Sequence, residues 1–440
     1  MIKNWATFIN KLLFYLSPWV ILFSLYRHNF QQFFPYDPIL KGPQFFDFFA
    51  VMDGYILIMI VFFTAGVLSG LIKANFKKIP VELWIAALLL LGAGILQIYF
   101  QPPIEPILST PFEYFKQLII YPLVFVFIGM TTLNKNSVKP FVYSYLAMVC
   151  VFSIGSLFQF FTNHFPGATL DFTGRLVWPF IDFLTLDVAS ANWTAFFAVP
   201  AVVISFAGII KMLLQKKFHP KIIFFGLTFI LSGTIVYLTQ SYGAYAGLFI
   251  AFALYLYKAL PIKKFFAALV ILLLLGGGMY MVQKNSYKFK LMEGSVTTRF
   301  DNSVTSRGDI MKMNLHIITT NTWLGVGFNQ YQSYFAKNHE EVLGHKYGEE
   351  NYPPHAHNFF LSFWTTMGVF GFLGILTLII GLFVRYRLNP SLPAQFVIAA
   401  VMTHGLIDSF YWTREIAYTF WIIILFVYLY KDSYSSRDEL

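Results

Sequence analysis

The sequence is poor in charged residues. Only 12% of its 440 residues are Asp, Glu, Lys or Arg, against about 25% in an ordinary soluble domain. Hydrophobic residues make up 57%, so a fold in water would leave large apolar patches exposed. The composition therefore predicts an all-α integral membrane protein in which long apolar helices cross the bilayer.

Cysteine is nearly absent, since Cys150 is the only one and lies inside an apolar run. A single cysteine excludes a disulfide framework and a cysteine-rich metal site. The formal net charge of +10 would suggest nucleic-acid binding only if the basic residues clustered on one soluble face. They lie between the apolar runs instead, where they set the orientation of spans, and no nucleic-acid partner is expected.

Twelve apolar segments are candidate spans, because about 20 apolar residues cross a bilayer. The first apolar run lacks a signal-cleavage pattern and is expected to be retained as a span. The segments lie near 11–26, 50–72, 80–100, 113–132, 140–161, 191–213, 221–239, 242–259, 264–282, 358–384, 392–409 and 415–430.

Lysine and arginine are concentrated in alternate short connections between these segments. The opposite short connections hold only Arg27, Lys41, Lys116, Arg175 and Arg414. Because basic connections stay in the cytoplasm, this asymmetry predicts twelve spans with both termini cytoplasmic. The long polar segment 283–356 is then extracytoplasmic.

The predicted layout has three parts. Residues 1–282 form an N-terminal transmembrane bundle of about nine spans, and 283–356 form a long extracytoplasmic loop between spans nine and ten. Residues 357–440 form a C-terminal bundle of about three spans with a short cytoplasmic tail. A second polar outer loop, 163–190, contains Arg175 among several aspartates. No internal repeat is visible, which disfavours a transporter built from two related halves.

Arg307 is the first candidate for chemistry. The sequence Ser-Arg-Gly-Asp at 306–309 precedes a stretch, 310–319, with helical apolar spacing. An arginine near a helix start suits a diphosphate, because its planar fork makes two charge-assisted bonds and the helix amides add to them. The alternative is an ion pair with Asp301 or Asp309 on a wet surface.

A second candidate is the sequence His-Ala-His-Asn at 355–358, where the long outer segment meets the next span. His357 has the proton affinity for abstraction near neutral pH. Asn358 could orient a substrate or cap the next helix. His355 and His357 also suggest a metal, because residues two apart point the same way in a strand. The sequence offers no third ligand at suitable spacing, so a site without metal or cofactor is expected.

Three further patterns have simpler interpretations. Residues 323–328, Trp-Leu-Gly-Val-Gly-Phe, are too short for a nucleotide-binding fingerprint and indicate a tight turn that lays an aromatic ring on the membrane surface. Ser241-Tyr242-Gly243 begins span eight, where polar groups must face protein or a cavity. Asp408, Arg414 and Glu415 flank the last outer turn, and the simple interpretation is that these acidic and basic side chains pair with each other.

The order of four short motifs resembles the O-antigen ligase and polymerase family. They are Ser-Arg-Gly at 306–308, Trp-Leu-Gly-Val-Gly-Phe at 323–328, His-Asn at 357–358 and Met-Gly-Val-Phe-Gly-Phe at 367–372. The combination is more specific than any one motif. The resemblance covers roughly residues 190–430, and the first half of the chain only by the layout of its spans.

The resemblance implies a metal-independent glycosyltransferase in the bacterial cytoplasmic (inner) membrane. Its donor would be a glycan on undecaprenyl diphosphate. Its acceptor would be a hydroxyl of another lipid-linked glycan, of a lipid A core or of a protein. Arg307 would hold the diphosphate and His357 would act as the base. Substrate binding is predicted for Arg175, Asn358, Tyr242 and His355.

The chain departs from the family at Tyr242, where members often carry an arginine. Either another cation, such as Arg175, supplies the charge, or the donor is held differently, or the protein is not an active ligase. Two other classes of function compete with the enzyme. A lipid or polysaccharide transporter predicts charged residues deep inside the spans, and these are scarce here. A non-catalytic scaffold of envelope polysaccharide assembly predicts that Arg307 and His357 can be replaced without effect.

Overall fold

A computed structural model describes most of the chain. The described residues are 2–33, 51–101, 104, 111–162, 175–176, 191–215, 219–286, 289, 305–348, 352–385 and 393–431. Asp301, the C-terminal tail beyond 431 and all of loop 163–190 except 175–176 lie outside them. Residues 287–304 except Phe289, near the start of the predicted outer loop 283–356, also lie outside the described residues.

The regular elements of the described ranges are helices, and all but the two at Thr305–Thr320 and Tyr331–Leu343 are built on apolar runs. They are α1 (Ile2–Phe33), α2 (Val51–Leu68), α3 (Val81–Phe100), α4 (Pro111–Thr132), α5 (Lys135–Thr162), α6 (Ala191–Leu214), α7 (Lys221–Thr239), α8 (Tyr242–Ala259), α9 (Ile262–Gln283), α10 (Thr305–Thr320), α11 (Tyr331–Leu343), α12 (Phe359–Arg385), α13 (Pro393–Gly405) and α14 (Arg414–Lys431). Short 3₁₀ and π turns occur at Phe76–Lys78 and, within α4, at Lys116–Ile120.

Nine helices in the described part of the chain are long and apolar enough to cross a membrane, namely α1 to α7, α9 and α12. A helix satisfies its own backbone hydrogen bonds, which is the requirement for crossing lipid. The chain is therefore a multi-pass membrane protein. The other three predicted spans coincide with α8, α13 and α14. Because α13 has only 13 residues and α14 begins and ends on charged residues, the total of twelve spans stays a prediction.

The last helix, α14, lies at the centre of the bundle. Every residue from Ile416 to Leu429 is buried. The helix packs against α1, α4, α5, α6 and α13. The indole of Trp421 donates to the Tyr411 hydroxyl over 2.7 Å, and that hydroxyl donates to the Leu118 carbonyl over 2.6 Å. Helices from both sides of the long segment 283–356 thus share one core.

By contrast, α9 lies at the edge of the bundle. Gln283, its last residue, is the only buried one, and Leu274 is 70% exposed. The helix packs against α8. An apolar helix that exposes its whole length to its surroundings is stable only against lipid. We therefore expect lipid to reach the space between α8 and α9.

The outer end of α8 is fixed by a tight turn and a close helix contact. Gln240 ends α7 with φ 48°, a left-handed conformation that reverses the chain in one residue. A Cβ on Gly247 would lie 2.4 Å from the Ala400 carbonyl, and one on Gly243 would lie 2.6 Å from the His404 ring. Small residues at this spacing let α8 approach α13 closely, and the contact holds Tyr242 in place.

Outside the bundle, α10 and α11 form a helix pair with its own small core. Met313, Ile317, Val326, Tyr331 and Phe335 pack together there. The helix predicted over 310–319 is confirmed, and it begins at Thr305. Arg307 therefore lies in its first turn, as the Ser-Arg-Gly step predicted.

The helix pair docks on a break in α12. Gly368 has φ 67° and ψ −167°, which interrupts the helix. The break exposes the carbonyls of Thr365 and Thr366, which accept hydrogen bonds from Val326 N–H (2.7 Å) and Gly327 N–H (3.1 Å). Backbone groups inside a membrane protein must be paired, and here the outer segment pairs them. The motifs at 323–328 and 367–372 thus form the two sides of one backbone contact, which we call the joint.

Glycine is required on both sides of this joint. A Cβ on Gly368 would lie 1.9 Å from the Trp323 carbonyl, and one on Gly325 would lie 2.5 Å from the Thr365 carbonyl. Both glycines have positive φ, which other residues rarely adopt. Trp323 is 66% exposed on the resulting turn, while Phe328 is buried in the bundle core. The predicted turn and its exposed aromatic are therefore present.

We expect Gly368→Ala to destabilise the protein by about 2 kcal/mol or more, because it adds backbone strain and a steric clash. Gly277→Ala is the matched control, since a Cβ there meets nothing within 4 Å. The measurement is the thermal unfolding midpoint of both variants in the same detergent. Equal midpoints for the two variants would contradict the proposed joint.

Candidate active site

The outer ends of α6, α7, α8, α12 and α13 converge on one polar cluster. The segment 355–358 enters it from the helix pair, and the turn after α13 supplies Asp408. Asn192 enters from the first turn of α6. Residues 175–176 of the outer loop lie beside the end of α7, where Leu176 N–H donates to the Leu238 carbonyl over 2.9 Å. Four separate parts of the chain thus build the cluster.

His357 and Asp408 form the central pair. His357 Nδ1 lies 3.0 Å from Asp408 Oδ1, and the two side chains are 29% and 4% exposed. An Nδ1–H that donates to the carboxylate leaves Nε2 as the acceptor of the ring. His357 has φ 47°, a left-handed conformation that is unusual for a side chain of this size. Backbone strain of this kind recurs at functional sites, and here it aims the imidazole at Asp408.

The carboxylate of Asp408 is held ionised by its neighbours. Burial would raise its pKa, but the hydrogen bond and charge of His357, together with nearby histidines, keep the pKa well below its usual range. Ser409 N–H donates to Oδ1 over 2.8 Å, and the Asn192 amide donates to Oδ2. A buried charge with these partners is a fixed acceptor for His357.

His355 is the neutral member of the cluster. Burial, with a smaller effect of His357, lowers its pKa to about 3. Its ring lies 4.5 Å from the His357 ring and 6.2 Å from the Trp193 indole, between centroids. His357 N–H points to His355 Nδ1 over 3.4 Å. His355 therefore packs beside the His357–Asp408 pair. Its contacts with His357 help to fix the conformation of the segment 355–358.

Arg175 is joined to the same cluster through Asn192. Its Nε donates to the Thr239 carbonyl over 2.7 Å, and its Nη2 donates to Asn192 Oδ1 over 3.1 Å. The Asn192 amide in turn donates to Asp408. A continuous chain of hydrogen bonds therefore runs from Arg175 through Asn192 and Asp408 to His357.

Tyr242 lies beside Arg175 at the start of α8. The guanidinium is close enough to interact electrostatically with the hydroxyls of Tyr242 and Tyr245. The other two residues of the Ser-Tyr-Gly step face His404, where Ser241 Oγ lies 3.2 Å from His404 Nε2. Arg175 thus stands next to the position at which the family often carries an arginine.

Arg307 lies on α10, the helix that contacts the segment 355–358 through Asn314. It is exposed in the first turn. Asn314 lies seven residues later on the same face, and its amide donates to the Ala356 carbonyl over 2.9 Å. The rise of a helix puts Arg307 about 10 Å along the axis from that contact. Asp309 is engaged by Tyr347, His345 and Lys312. The role of Arg307 stays a prediction.

Asn358 acts as a helix cap. Its Oδ1 accepts from Leu361 N–H over 3.0 Å, and its Nδ2 donates to the Leu406 carbonyl over 2.9 Å. The first contact begins α12, and the second ties α12 to the turn after α13. These contacts fit the capping interpretation of this residue, and its predicted binding of substrate stays untested.

Two expectations from the sequence need correction. Asp408 pairs with His357 rather than with Arg414, because the turn after α13 directs it toward the start of α12. Arg414 Nε pairs with Glu415 Oε1 over 3.1 Å. Asp408 also supplies the third potential metal ligand that the sequence did not reveal, since the ligand atoms of His355, His357 and Asp408 lie within 4.8 Å of one another.

The geometry favours a hydrogen-bonded group over a metal centre at these three residues. His355 Nδ1 already accepts from a backbone N–H, and the Asp408 oxygens accept from His357, Asn192 and Ser409. A divalent cation would have to displace several of these bonds. We therefore interpret the cluster as a hydrogen-bonded group that orients His357. That the site works without a metal stays a prediction.

Residues 227–376, about a third of the chain, match the family model described as O-antigen ligase. The match runs from α7 into α12 and includes Tyr242, Arg307 and His357. Over these residues the chain is similar to the O-antigen ligase family, which agrees with the resemblance seen in the motif order. The family supports a glycosyltransferase of this broad type. No curated protein matches the chain.

Asp408 and Asn192 are the site residues that sequence reasoning missed. Both lie outside the matched segment and outside the four motifs. The sequence feature that points to them is their position, because each is a polar residue at the outer end of a predicted span. That position is shared by many capping and solvated residues, so it does not select these two without the fold.

Protonation of His355 should cost stability as the pH falls. Its folded pKa of about 3 lies below the ordinary value of 6.5, so the unfolded chain binds the proton first between those pH values. We expect wild type to lose about 2 kcal/mol more than His355→Gln between pH 7.5 and pH 5.

The measurement is the thermal midpoint at the two pH values. His219→Gln is the control, because His219 is an exposed histidine at the opposite end of the bundle. The account is contradicted if His355→Gln loses as much stability on acidification as wild type does.

Proposed function

We propose that this chain transfers a glycan from undecaprenyl diphosphate to an acceptor hydroxyl at the outer face of the bacterial cytoplasmic membrane. The observation that carries the proposal is the pair of partly exposed His357 and buried Asp408, joined through Asn192 to Arg175. A base and a cation held in one hydrogen-bonded chain suit a reaction that moves a proton and releases an anion. The proposal includes both termini in the cytoplasm.

His357 is the proposed base. Asp408 accepts from Nδ1–H, so Nε2 can take the proton of the acceptor hydroxyl as its oxygen attacks the anomeric carbon. Asp408 then stabilises the imidazolium that forms. The same logic operates in other enzymes that orient a histidine with a buried carboxylate. The partial exposure of His357 lets a substrate reach Nε2, whereas the buried Asp408 stays shielded from water.

Arg175 and Arg307 are the proposed cations for the diphosphate. When the glycosidic carbon–oxygen bond breaks, its electron pair passes to the diphosphate oxygen and adds negative charge there. A guanidinium held in place by the protein stabilises that charge without reorganising. The bonds from Arg175 to Thr239 and Asn192 fix its orientation, so Arg175 replaces the cation that Tyr242 lacks.

Asn192 is proposed to separate the two charged ends of the site. Its Oδ1 accepts from Arg175 while its Nδ2 donates to Asp408. A direct Arg175–Asp408 pair would neutralise both groups, and neither would then serve its partner. A neutral amide between them fixes the orientation of both side chains. Asp408 keeps its charge for His357, and Arg175 keeps its charge for the diphosphate.

The acceptor is proposed to enter between the helix pair α10–α11 and the bundle. Three acceptors suit the chemistry: a second lipid-linked glycan, a lipid A core and a protein hydroxyl. A polymerase, a lipopolysaccharide ligase and a protein glycosyltransferase differ only in that choice. The proposed units remain the N-terminal bundle 1–282, the outer loop 283–356 and the C-terminal bundle 357–440.

Replacing either member of the central pair should lower turnover by orders of magnitude. We expect His357→Ala to lower kcat by about 10² to 10⁴, because the base is removed. Asp408→Asn should lower it by at least about 10², because an amide favours the wrong histidine tautomer. Glu340→Gln is the matched control, since Glu340 is an exposed carboxylate that pairs with Lys346 on the helix pair.

The assay uses purified protein in nanodiscs, an undecaprenyl-diphosphate-linked oligosaccharide, each acceptor in turn and EDTA throughout. Released undecaprenyl diphosphate is measured by mass spectrometry. Release that needs an acceptor and His357 supports the enzyme, and the acceptor that works identifies its class. Unchanged release by His357→Ala would show that His357 is not the base. No release by wild type with any acceptor would favour a transporter or a scaffold, and release restored only by a divalent cation would indicate a metal centre.

The relation between Arg175 and Tyr242 gives a second, independent test. We expect Arg175→Gln to lower kcat/KM for the donor roughly 100-fold, because a cation beside the leaving group is lost. Adding Tyr242→Arg to that variant should restore at least part of the loss, since it places a guanidinium at the neighbouring position. Lys346→Ala removes an exposed cation elsewhere and serves as the control.

The double variant distinguishes an electrostatic role of Arg175 from a structural one. If Arg175 only ties the outer loop to α7, a guanidinium at position 242 cannot replace those contacts, and the double variant stays as inactive as Arg175→Gln. That result would exclude Arg175 as the compensating cation.

A further inference from the structure

The left-handed backbone of His357 needs a restraint on each side. Its φ of 47° is one that a side chain of this size rarely adopts. The angle φ relates the planar peptide that joins Ala356 to His357 to the rest of residue 357. The bond to Asp408 holds the imidazole side of this rotation. The angle is therefore fixed only if the peptide side is held as well.

Both polar groups of that peptide have partners. The Ala356 carbonyl accepts from the Asn314 amide over 2.9 Å, which is the length of an ordinary hydrogen bond. The His357 N–H points to His355 Nδ1 over the longer distance of 3.4 Å. The closer contact thus comes from α10, a helix that begins about 50 residues before His357 in the chain. Asn314 supplies the stronger of the two restraints.

Asn314 is itself held in one orientation. It is buried, and the Tyr331 hydroxyl of α11 donates to its Oδ1 over 2.7 Å. Burial raises the pKa of Tyr331 well above its ordinary value, so the hydroxyl keeps the proton that it donates. With Oδ1 as the acceptor, the amide nitrogen of Asn314 is directed to the Ala356 carbonyl. The chain of bonds therefore runs from Tyr331 through Asn314 to the peptide that precedes His357.

The bond from Asn314 is strong enough to oppose the strain at His357. Ala356 is buried, so a carbonyl that turned away from Asn314 would find no water. An unpaired buried carbonyl and a left-handed side-chain residue have costs of similar size. Rotating the peptide to relieve the strain would thus exchange one cost for the other. Without Asn314, nothing on the peptide side except the long contact to His355 would oppose that rotation.

We propose that Asn314 is a positioning residue for His357, because its bond to the Ala356 carbonyl maintains the backbone conformation that directs the imidazole to Asp408. Tyr331 assists by fixing the amide of Asn314. The inference rests on the proposed function for the reaction that His357 serves. It gives the helix pair a second role besides carrying Arg307, since α10 supplies Asn314 and α11 supplies Tyr331.

The first test separates positioning from stability. We expect Asn314→Leu to lower kcat about 100-fold, because a displacement of about 1 Å at a reacting group costs that much. The donor KM should stay within about twofold of wild type, since no cation is changed. Tyr331→Phe keeps the ring and removes the hydroxyl, so its kcat should fall by a smaller factor, about tenfold.

Ile317→Ala is the matched control. Ile317 is buried in the same core of the helix pair, one turn after Asn314, and its truncation leaves the bond to Ala356 in place. Thermal midpoints are measured for all the variants. We expect Ile317→Ala to lower the midpoint while kcat stays near wild type. The proposal is overturned if Ile317→Ala and Asn314→Leu lose kcat in proportion to their loss of midpoint, or if Asn314→Leu raises the donor KM alone.

A double variant tests whether Asn314 acts through the central pair. If Asn314 serves only to hold the imidazole at Asp408, its loss has no further effect once that bond is broken. We therefore expect Asn314→Leu combined with Asp408→Asn to have the kcat of Asp408→Asn alone, within about threefold. A kcat lowered by the product of the two single losses would overturn the proposal.

A spectroscopic measurement does not depend on turnover. In bilayers, ¹⁵N-histidine NMR detects an Nδ1–H that is bonded to a carboxylate, and the resonance of His357 is the one that His357→Ala lacks. We expect this resonance in wild type and Ile317→Ala and its loss or shift in Asn314→Leu. An unchanged resonance in Asn314→Leu, or its absence from wild type, would overturn the inference. A resonance lost in Asn314→Leu, without glycan transfer by wild type, would keep the positioning of His357 and reject the proposed function.

Discussion

The bond between His357 and Asp408 is the contact on which the rest of the site depends. It joins two segments that are 51 residues apart in the chain. A buried carboxylate must have its acceptors satisfied, and Asp408 meets this requirement with His357, Asn192 and Ser409. Moving any of the three would remove one hydrogen bond from a buried charge. The outer ends of α6, α12 and α13 are therefore held together by the same bonds that orient the proposed base.

A second constraint is the broken helix at Gly368. The outer helix pair is attached there by backbone hydrogen bonds, which do not depend on the side chains involved. Glycine is needed because the two chain segments approach too closely for any Cβ. The joint sets the position of α10, which carries Arg307. The segment 355–358 is tied to α10 by the bond from Asn314 to the Ala356 carbonyl. The segments that carry Arg307 and His357 are thus joined by this contact.

Much of the fold could be predicted from the sequence, because long apolar runs have few alternatives to helices in lipid. The positions of His357 and Arg307, the turn at 323–328 and the helix over 310–319 all followed from local patterns. The partner of His357 did not, since a lone aspartate after α13 has no local feature that distinguishes it from a surface residue. The bonds from Asn192 to Asp408 and from Asn314 to Ala356 arise from contacts between segments that are distant in the chain. Such contacts have no periodicity or spacing that one sequence displays.

The most direct test of the central claim is a cryo-EM structure of the protein in nanodiscs with a non-hydrolysable phosphonate analogue of the undecaprenyl-diphosphate-linked glycan. The account predicts phosphoryl oxygens within hydrogen-bond distance, about 3 Å, of the Arg175 guanidinium. It also predicts that the anomeric carbon lies on the side of the site that His357 Nε2 faces. Density for the diphosphate at another part of the outer surface, with Arg175 and His357 both out of contact, would contradict it.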